Sequence, residues 1–319
     1  MKKQHVSESQ LPAASPDTTA YHIPVLLQEV LEQLKIKPDG TYVDCTFGGG
    51  GHSRAILERL GPGGRLVAFD QDADARQNIP EDSRVLFIPH NFRHLQRFLR
   101  LNEIDEVDGI LADLGVSSHQ FDEAGRGFST RFDAAMDMRM DQRQEKTAFH
   151  VISSYAEQQL HKLFEQYGEV TNSKTLAKTI VELRRTTSLE TIEAFKTALS
   201  PVVKGNPNKY FAQVFQALRI EVNDELGALK EMLMQVPGVL KMGGRVAIIT
   251  FHSLEDRIVK VFFRDNSFEA PEENPFTTTE KPKYLKTVNK KPVTASEQEI
   301  KRNPRSRSAK LRVAEKIGN

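Results

Sequence analysis

The sequence predicts an α/β fold, a parallel sheet interrupted by one inserted helical subdomain. Three observations carry the prediction. Short apolar runs alternate with helical patterns from Tyr42 to Ala112, and the stretch Thr41 to Ser53 reads as strand, tight glycine loop and helix. Between about Gln120 and Asn208 no clear strand is visible, and the alternation resumes only near Arg245.

Pro24, followed by apolar residues at Val25, Leu26, Val30 and Leu34, predicts a short helix. Pro38-Asp39-Gly40 then turns into a first strand, Tyr42 to Phe47, which stops at four consecutive glycines, Gly48 to Gly51. A helix from His52 to Leu60 ends at Gly61-Pro62-Gly63-Gly64, and strands follow at Arg65 to Asp70 and Arg84 to Ile88. A helix from about His94 to Asn102 leads to a fourth strand, Val107 to Ala112. Helical stretches at Thr147 to Tyr167, Ser173 to Arg185 and Ser188 to Val203 fill the insertion, capped at Asn172 or Ser173 and at Ser188 or Thr191. A long helix, Lys209 to about Gln235, is broken by Pro237-Gly238, and Gly243-Gly244 turns into a strand, Arg245 to Phe251. Ser253 and Asp256 have the spacing of a capping box for the next helix. Phe268 to Ile300 reads as a long loop or partly disordered arm, and Ala309 to Ala314 as a last strand. The expected division is a disordered tail (1–20), a sheet domain (21–119 and 209–319) and the inserted subdomain (120–208).

Parallel strands present ligands at their carboxyl ends, where this chain concentrates its chemistry. The glycines expose backbone N–H groups, and the helix that follows adds more, which suits a carboxylate or phosphate. Asp70 stands nineteen residues beyond Gly51, where nucleotide-binding folds place an acid on ribose hydroxyls. The third small residue of the dinucleotide fingerprint falls at Ser53, and no Lys follows the glycines, so nicotinamide and nucleoside triphosphate cofactors fit poorly. S-adenosylmethionine fits better, with its carboxylate on the loop, its ammonium near Asp44, its ribose on Asp70 and its adenine beside Phe92. Methyl transfer to an exocyclic base amine needs an acceptor for the amine hydrogens, because the nitrogen lone pair is delocalised into the ring. Asp113, at the end of strand four, is the candidate acceptor, with Ser117 and Ser118 as further polar contacts. The plainer alternatives are a ligand-free glycine turn, a core Phe92 and an Asp113 that only closes its strand.

With 319 residues and 39% apolar content, the chain can bury a substantial core, and it has no apolar run long enough to span a membrane. Met1-Lys2-Lys3 is followed by polar and small residues, unlike a secretory signal. Cys45 is the only cysteine, which excludes an internal disulfide or a thiolate zinc cluster and fits a reducing cytoplasm. The nine histidines show no convincing metal-ligand spacing, so no metal is expected. The net charge of +1 hides an uneven distribution: residues 281–319 hold twelve Lys or Arg against three acids, leaving 32 basic and 40 acidic residues before them. A basic arm on an acidic body suggests a polyanionic partner, and Arg139, Arg184 and Arg185 are further candidates for phosphate contacts.

Taken together, the motifs closely resemble the bacterial small-subunit ribosomal RNA cytosine-N4 methyltransferase family. The resemblance runs through Tyr21-His22-Ile23-Pro24-Val25-Leu26-Leu27, Thr46 to Ser53, Asp113-Leu114-Gly115-Val116-Ser117-Ser118, Arg126-Gly127-Phe128-Ser129 and Met136 to Asp141. It continues in Phe215 to Ile220, Phe251 to Arg257 and Asn303-Pro304-Arg305-Ser306-Arg307-Ser308. It implies a Rossmann-like class I methyltransferase sheet that binds S-adenosylmethionine through Gly50, Gly51, His52, Asp70, Phe92, Asp113 and Gln120. It also implies a helical insertion that helps recognise RNA, and a cytosine in the decoding region of 16S ribosomal RNA as acceptor. The sequence leaves open whether the chain forms a homodimer and what His252 does. Cys45 stands where the family commonly has Gly, His119 where it often has Pro, and Gln213 where many relatives carry a basic residue, which puts a phosphate contact there in doubt. A different acceptor, or a ribosome-assembly factor that binds the cofactor without turnover, are the other functions compatible with the same residues.

Overall fold

The computed structural model describes residues 24–268 and 283–318, so the expected tail and much of the expected arm lie outside the described residues. The first half alternates as the apolar runs require: α1 (Leu27–Leu34), β1 (Thr41–Asp44), α2 (Gly51–Leu57), β2 (Arg65–Phe69), β3 (Val85–Ile88), α3 (Leu95–Leu101) and β4 (Val107–Asp113). A short α4 (Ser118–Asp122) follows, then α5 (Ala148–Ser154), α6 (Glu157–Gln166), α7 (Ser173–Leu183), α8 (Ile192–Leu199) and α9 (Pro207–Asn223). The chain returns to the sheet through α10 (Glu225–Val239), β5 (Leu240–Thr250) and α11 (Ser253–Asp265). It finishes with β6 (Leu285–Thr287), β7 (Val293–Thr294), α12 (Glu297–Arg302) and β8 (Lys310–Lys316).

The strands lie in the order β3-β2-β1-β4-β5-β8-β6, with β7 also on β8. β1 to β5 are mutually parallel, whereas β8 runs antiparallel to β5, β6 and β7. The expectation of a parallel sheet therefore holds for five strands and fails for the last three. The order reverses between β1 and β4, the switch point at which a Rossmann-like sheet opens a crevice.

Central strands are apolar on both faces because both are covered. Val43, Val67, Ile110, Val246 and Ile248 face α10 and α11, against Leu233, Val236, Phe262 and Phe263. Their neighbours Tyr42, Leu66, Leu111, Ala247 and Ile249 face α1 and α2, against Val30, Leu34 and Ile56. Each such fully buried Val, Leu or Ile side chain contributes roughly 1.5–3 kcal/mol. Cys45 sits in the first layer at 2% exposure, as a small packing residue, and burial pushes its thiol well above the ordinary range.

Helices α5 to α9 share a separate apolar cluster that includes Leu160, Phe164, Ile180, Phe195, Val214 and Phe215, with Met136, Met138 and Met140 from the preceding loop. The single helix expected from Lys209 to Gln235 is in fact two. Asp224 adopts a left-handed conformation (φ 48°) that separates α9, packed in the helical cluster, from α10, packed on the sheet. Pro237 lies within α10 rather than ending it, and β5 runs on through Gly243-Gly244 with a register shift opposite Val107 to Gly109. The stretch expected as one helix over 147–167 breaks at Tyr155-Ala156. Thr191, not Ser188, caps α8, accepting the Ala194 N–H at 3.3 Å. The capping box of α11 lies one residue earlier than expected. Glu255 accepts the Phe251 N–H at 2.8 Å and the His252 N–H at 3.4 Å, and His252 Nδ1 accepts the Glu255 N–H at 3.5 Å.

Part of the basic arm finds its acids within the protein. Arg312, 6% exposed on β8, pairs with Asp256 at 2.6 Å, Lys316 with Glu106 at 3.6 Å and Arg305 with Asp122 at 2.9 Å. Arg139 and Arg184 are likewise committed, to Asp137 and to the carbonyls of Ile152 and Tyr155. These pairs commit part of the arm's charge to the protein itself.

Candidate active site

A crevice of about 1070 Å³ opens over the carboxyl ends of β1 to β4. Its floor is the glycine loop. Gly48 (φ 49°) and Gly50 (φ 73°) take left-handed conformations that double the chain back, and the Gly50 N–H donates to the Phe47 carbonyl at 2.7 Å. A Cβ on Gly51 would lie 2.4 Å from Pro24, whereas one on Gly49 would meet nothing within 4 Å, so the loop is tight beneath and open above. Gly48, Gly49 and Gly51 line the crevice, while Gly50 turns toward the Phe47 ring and is not part of its wall.

Asp70, just past β2, holds the loop in place. Its Oδ2 accepts the Gly48 N–H at 2.7 Å and its Oδ1 the Asp72 N–H at 2.8 Å. Burial nevertheless pushes this carboxyl up to about 7, outweighing both N–H groups. Phe92 opens the turn after β3, half-buried against the sheet core with one side on the crevice. Gln120 also lines the crevice, at 5% exposure, but its polar atoms are occupied: Oε1 accepts the Ser117 N–H at 3.0 Å and Nε2 donates to Asp72 at 2.7 Å.

At the back, β1, α2 and β4 bring together Asp44, His52 and Asp113. Asp44 is 1% exposed and does not reach the crevice, contrary to its expected place beside the cofactor ammonium; its oxygens accept the Thr46 N–H at 3.0 Å and the Ser53 hydroxyl at 2.7 Å. Asp113 does line the crevice, with its backbone N–H donating to Thr46 Oγ1 at 2.7 Å. Its Oδ1 is buried and without a hydrogen-bond partner among the described residues. Burial, with the charges of Asp44 and Glu255 adding, raises Asp113 well above the usual carboxylate range.

The opposite wall comes from parts of the chain for which the residues alone gave no role. Arg219 of α9 makes a two-pronged pair with Glu225 of α10, at 2.8 and 3.0 Å. His252 Nε2 lies 3.1 Å from Glu255, whose burial cost is outweighed by His252, the Phe251 N–H and Arg219, leaving it below its ordinary range. Glu225, His252 and Glu255 bring ligand atoms within 4.8 Å of one another, but Arg219 already takes both oxygens of Glu225 and Glu255 caps α11. Asn303 to Ser308 close the rim, where Arg305 donates to Ser118 Oγ and Asp122 and lies over the Phe121 ring at 5.3 Å. Beneath the crevice Arg126, 6% exposed, pairs with Asp72 at 2.8 Å and Asp74 at 2.7 Å and donates to the Arg139 carbonyl at 3.0 Å. No local spacing pointed to the pairs of Arg126 and Arg305, whose partners are more than fifty residues away, and Arg219 reaches Glu225 across the break between two helices; only the family motifs contain Arg126, Arg219 and Arg305.

Known proteins match nearly the whole chain in sequence. The ribosomal RNA small subunit methyltransferase H of Parabacteroides distasonis is 52% identical over 301 residues, covering 94% of this chain and 98% of that one. The protein of the same name from Christiangramia forsetii is 53% identical over 299 residues, covering 93% and 98%. That of Bacteroides thetaiotaomicron is 52% identical over 301 residues, covering 94% and 99%. The model of the MraW methylase family matches residues 19–317, and the chain belongs to that family.

Proposed function

We propose that the protein transfers a methyl group from S-adenosylmethionine to the exocyclic N4 amine of a cytosine in 16S ribosomal RNA of the small subunit. The observation that carries this reading is the Oδ1 atom of Asp113, a buried acceptor with no partner among the described residues, on a residue that lines an open crevice. A buried polar atom left unpaired costs free energy, so such an atom is best understood as waiting for a ligand's donor.

The residues present fit the cofactor. The open space above Gly49 and the backbone of Gly51 suit its carboxylate, Asp70 its ribose hydroxyls and Phe92 its adenine, while His52, Asp113 and Gln120 complete the cradle. Bound there, it supplies a methyl group activated by a sulfonium. Asp113 would accept an amine hydrogen and hold the acceptor nitrogen toward the methyl group. An amine inside a helix cannot reach the foot of this crevice, so the base must leave its stack, at a cost of a few kcal/mol that an unpaired cytosine largely avoids. The helical segment 120–208, whose apolar core is completed by α9, is the proposed RNA-recognition unit. A surface hollow of about 490 Å³ along α3, where Arg97 and Arg100 stand beside an Arg93 held by Asp224 and Glu231, suits the RNA backbone.

Nucleoside mapping of small-subunit RNA by mass spectrometry, from cells with and without the protein, is expected to differ by one N4-methylated cytosine. Asp113→Ala should abolish that mark while the protein still binds subunits. An unchanged nucleoside pattern would refute the proposal, and full methylation by the variant would remove Asp113 from its role.

A further inference from the structure

The carboxyl of Asp113 faces two ways. Oδ1 is buried without a hydrogen-bond partner among the described residues, on a residue that lines the crevice, and Oδ2 lies 3.7 Å from Nδ1 of His52. His52 sits on the first turn of α2 at 7% exposure, with Nε2 3.0 Å from the Val25 carbonyl. A carbonyl can only accept, so Nε2 carries the hydrogen, and the neutral ring holds its lone pair on Nδ1. The chain just before α1 thereby fixes a tautomer whose basic nitrogen is aimed at Asp113.

We infer that His52 is the proton partner of Asp113, a positioning residue that takes a proton from Oδ2 onto Nδ1 as Oδ1 receives the proton released by the methylated amine. This rests on the reading of the crevice as an amine methyltransferase site. The amine lone pair forms the N–CH3 bond, and the S–CH3 pair stays on the sulfur of the sulfonium donor, which becomes a neutral thioether. One N–H bond gives way to Oδ1–H, and Oδ2–H gives way to Nδ1–H. Asp113 ends neutral, as it began, and His52 ends as imidazolium. The positive charge lost from the donor reappears on the ring, so the net charge of the buried site is the same before and after.

The surroundings set up this starting state. Asp44, on β1, has its carboxyl oxygens taken by the Thr46 N–H and the Ser53 hydroxyl, and burial raises it too, opposed by His52 and these hydrogen bonds. Burial raises Asp113, with Asp44 and Glu255 of α11 adding, and burial lowers His52, opposed by Asp44 and the Val25 carbonyl. Burial thus favours the proton on Asp113 and a neutral ring, and Asp44, whose charge acts on His52, is the acid that would balance the imidazolium formed later. The 3.7 Å gap is longer than a hydrogen bond, as such pairs often are before substrate binds.

The ordinary alternative is that His52 only ties α2 to Val25. His52→Gln separates the two, because its amide N–H reaches toward Val25 but it has no titratable nitrogen. At saturating S-adenosylmethionine, whatever the change in cofactor affinity, its single-turnover methylation of small subunits is expected to fall about a hundredfold. Its residual rate should climb with pH where the wild type is flat. In ¹⁵N-histidine spectra of the wild-type protein, His52 should appear as the Nε2–H tautomer, with an Nδ1 resonance displaced by a hydrogen bond that Asp113→Ala removes. A near-normal rate with an unchanged pH profile, or an Nδ1–H tautomer, would overturn the inference. If the Gln variant does not fold, the wild-type spectra decide. If the wild type fails to methylate subunits at all, it is the RNA reading that falls, and the spectra still judge the pair.

Discussion

Binding of S-adenosylhomocysteine is expected to weaken as the pH falls below about 7, and Asp70 is the reason. Its oxygens already accept the N–H groups of Gly48 and Asp72, yet burial raises the carboxyl to about 7 from its ordinary 3.8. A ribose diol donates best to a charged carboxylate. Because the folded-state value is raised, the free site holds a neutral acid below pH 7, and binding must first remove that proton. Affinity should therefore be level above about pH 7.5 and fall by up to about tenfold, or about 1.4 kcal/mol, for each unit below 7. The same shift makes folding stability decline as the pH rises from about 4 to 7, where the unfolded chain has released this proton and the folded one has not. In Asp70→Asn the slope should vanish and the plateau affinity drop by about 1.5–3 kcal/mol, since an amide nitrogen would also face the Gly48 N–H. Calorimetric titration from about pH 5.5 to 8, in two buffers of different ionisation enthalpy, measures both affinity and proton release. Equal slopes in wild type and variant would refute the assignment, because titration of the ligand's own groups is common to both.

Two further outcomes follow from the charge pairs. Arg126→Ala removes the buried cation between Asp72 and Asp74 and should cost about 3–5 kcal/mol in denaturant unfolding, whereas a loss under about 1 kcal/mol would mean the acids are satisfied without it. Arg305→Ala should loosen Asn303 to Ser308 from α4, leaving S-adenosylhomocysteine affinity within about threefold but lowering methylation of small subunits at least about tenfold. Unchanged methylation would show that this rim does not shape the acceptor side.

The first five strands and the crevice at their ends were legible because each depends on local patterns. Apolar runs of four to seven residues gave β1 to β4, and the glycines with Asp70 and Asp113 fell at strand ends where the sheet must bind ligands. What could not be read was long-range pairing. The antiparallel placement of β8 between β5 and β6, and the ion pairs of Arg312 and Lys316, join residues far apart in sequence. Near misses had local causes. His252 is an unusual cap, so the Ser253 and Asp256 pair looked like the better capping box, and the left-handed Asp224 has no Gly to advertise a break between α9 and α10. Gly50 and Asp44 show that motif membership does not decide direction: both support the loop from beneath and leave the ligand surface to their neighbours.

The position of β8 also bears on how the protein is made. β5 is hydrogen-bonded to β4 on one side, but its other edge waits for residues 310–316, synthesised some sixty positions later. Until then a row of unpaired amides and carbonyls beside Val246 to Ile249 is open to any passing strand, which makes the nascent chain prone to aggregation and dependent on fast release. Because Asn303 to Ser308 arrive with that same last stretch, catalytic competence and protection of the edge are acquired in one event.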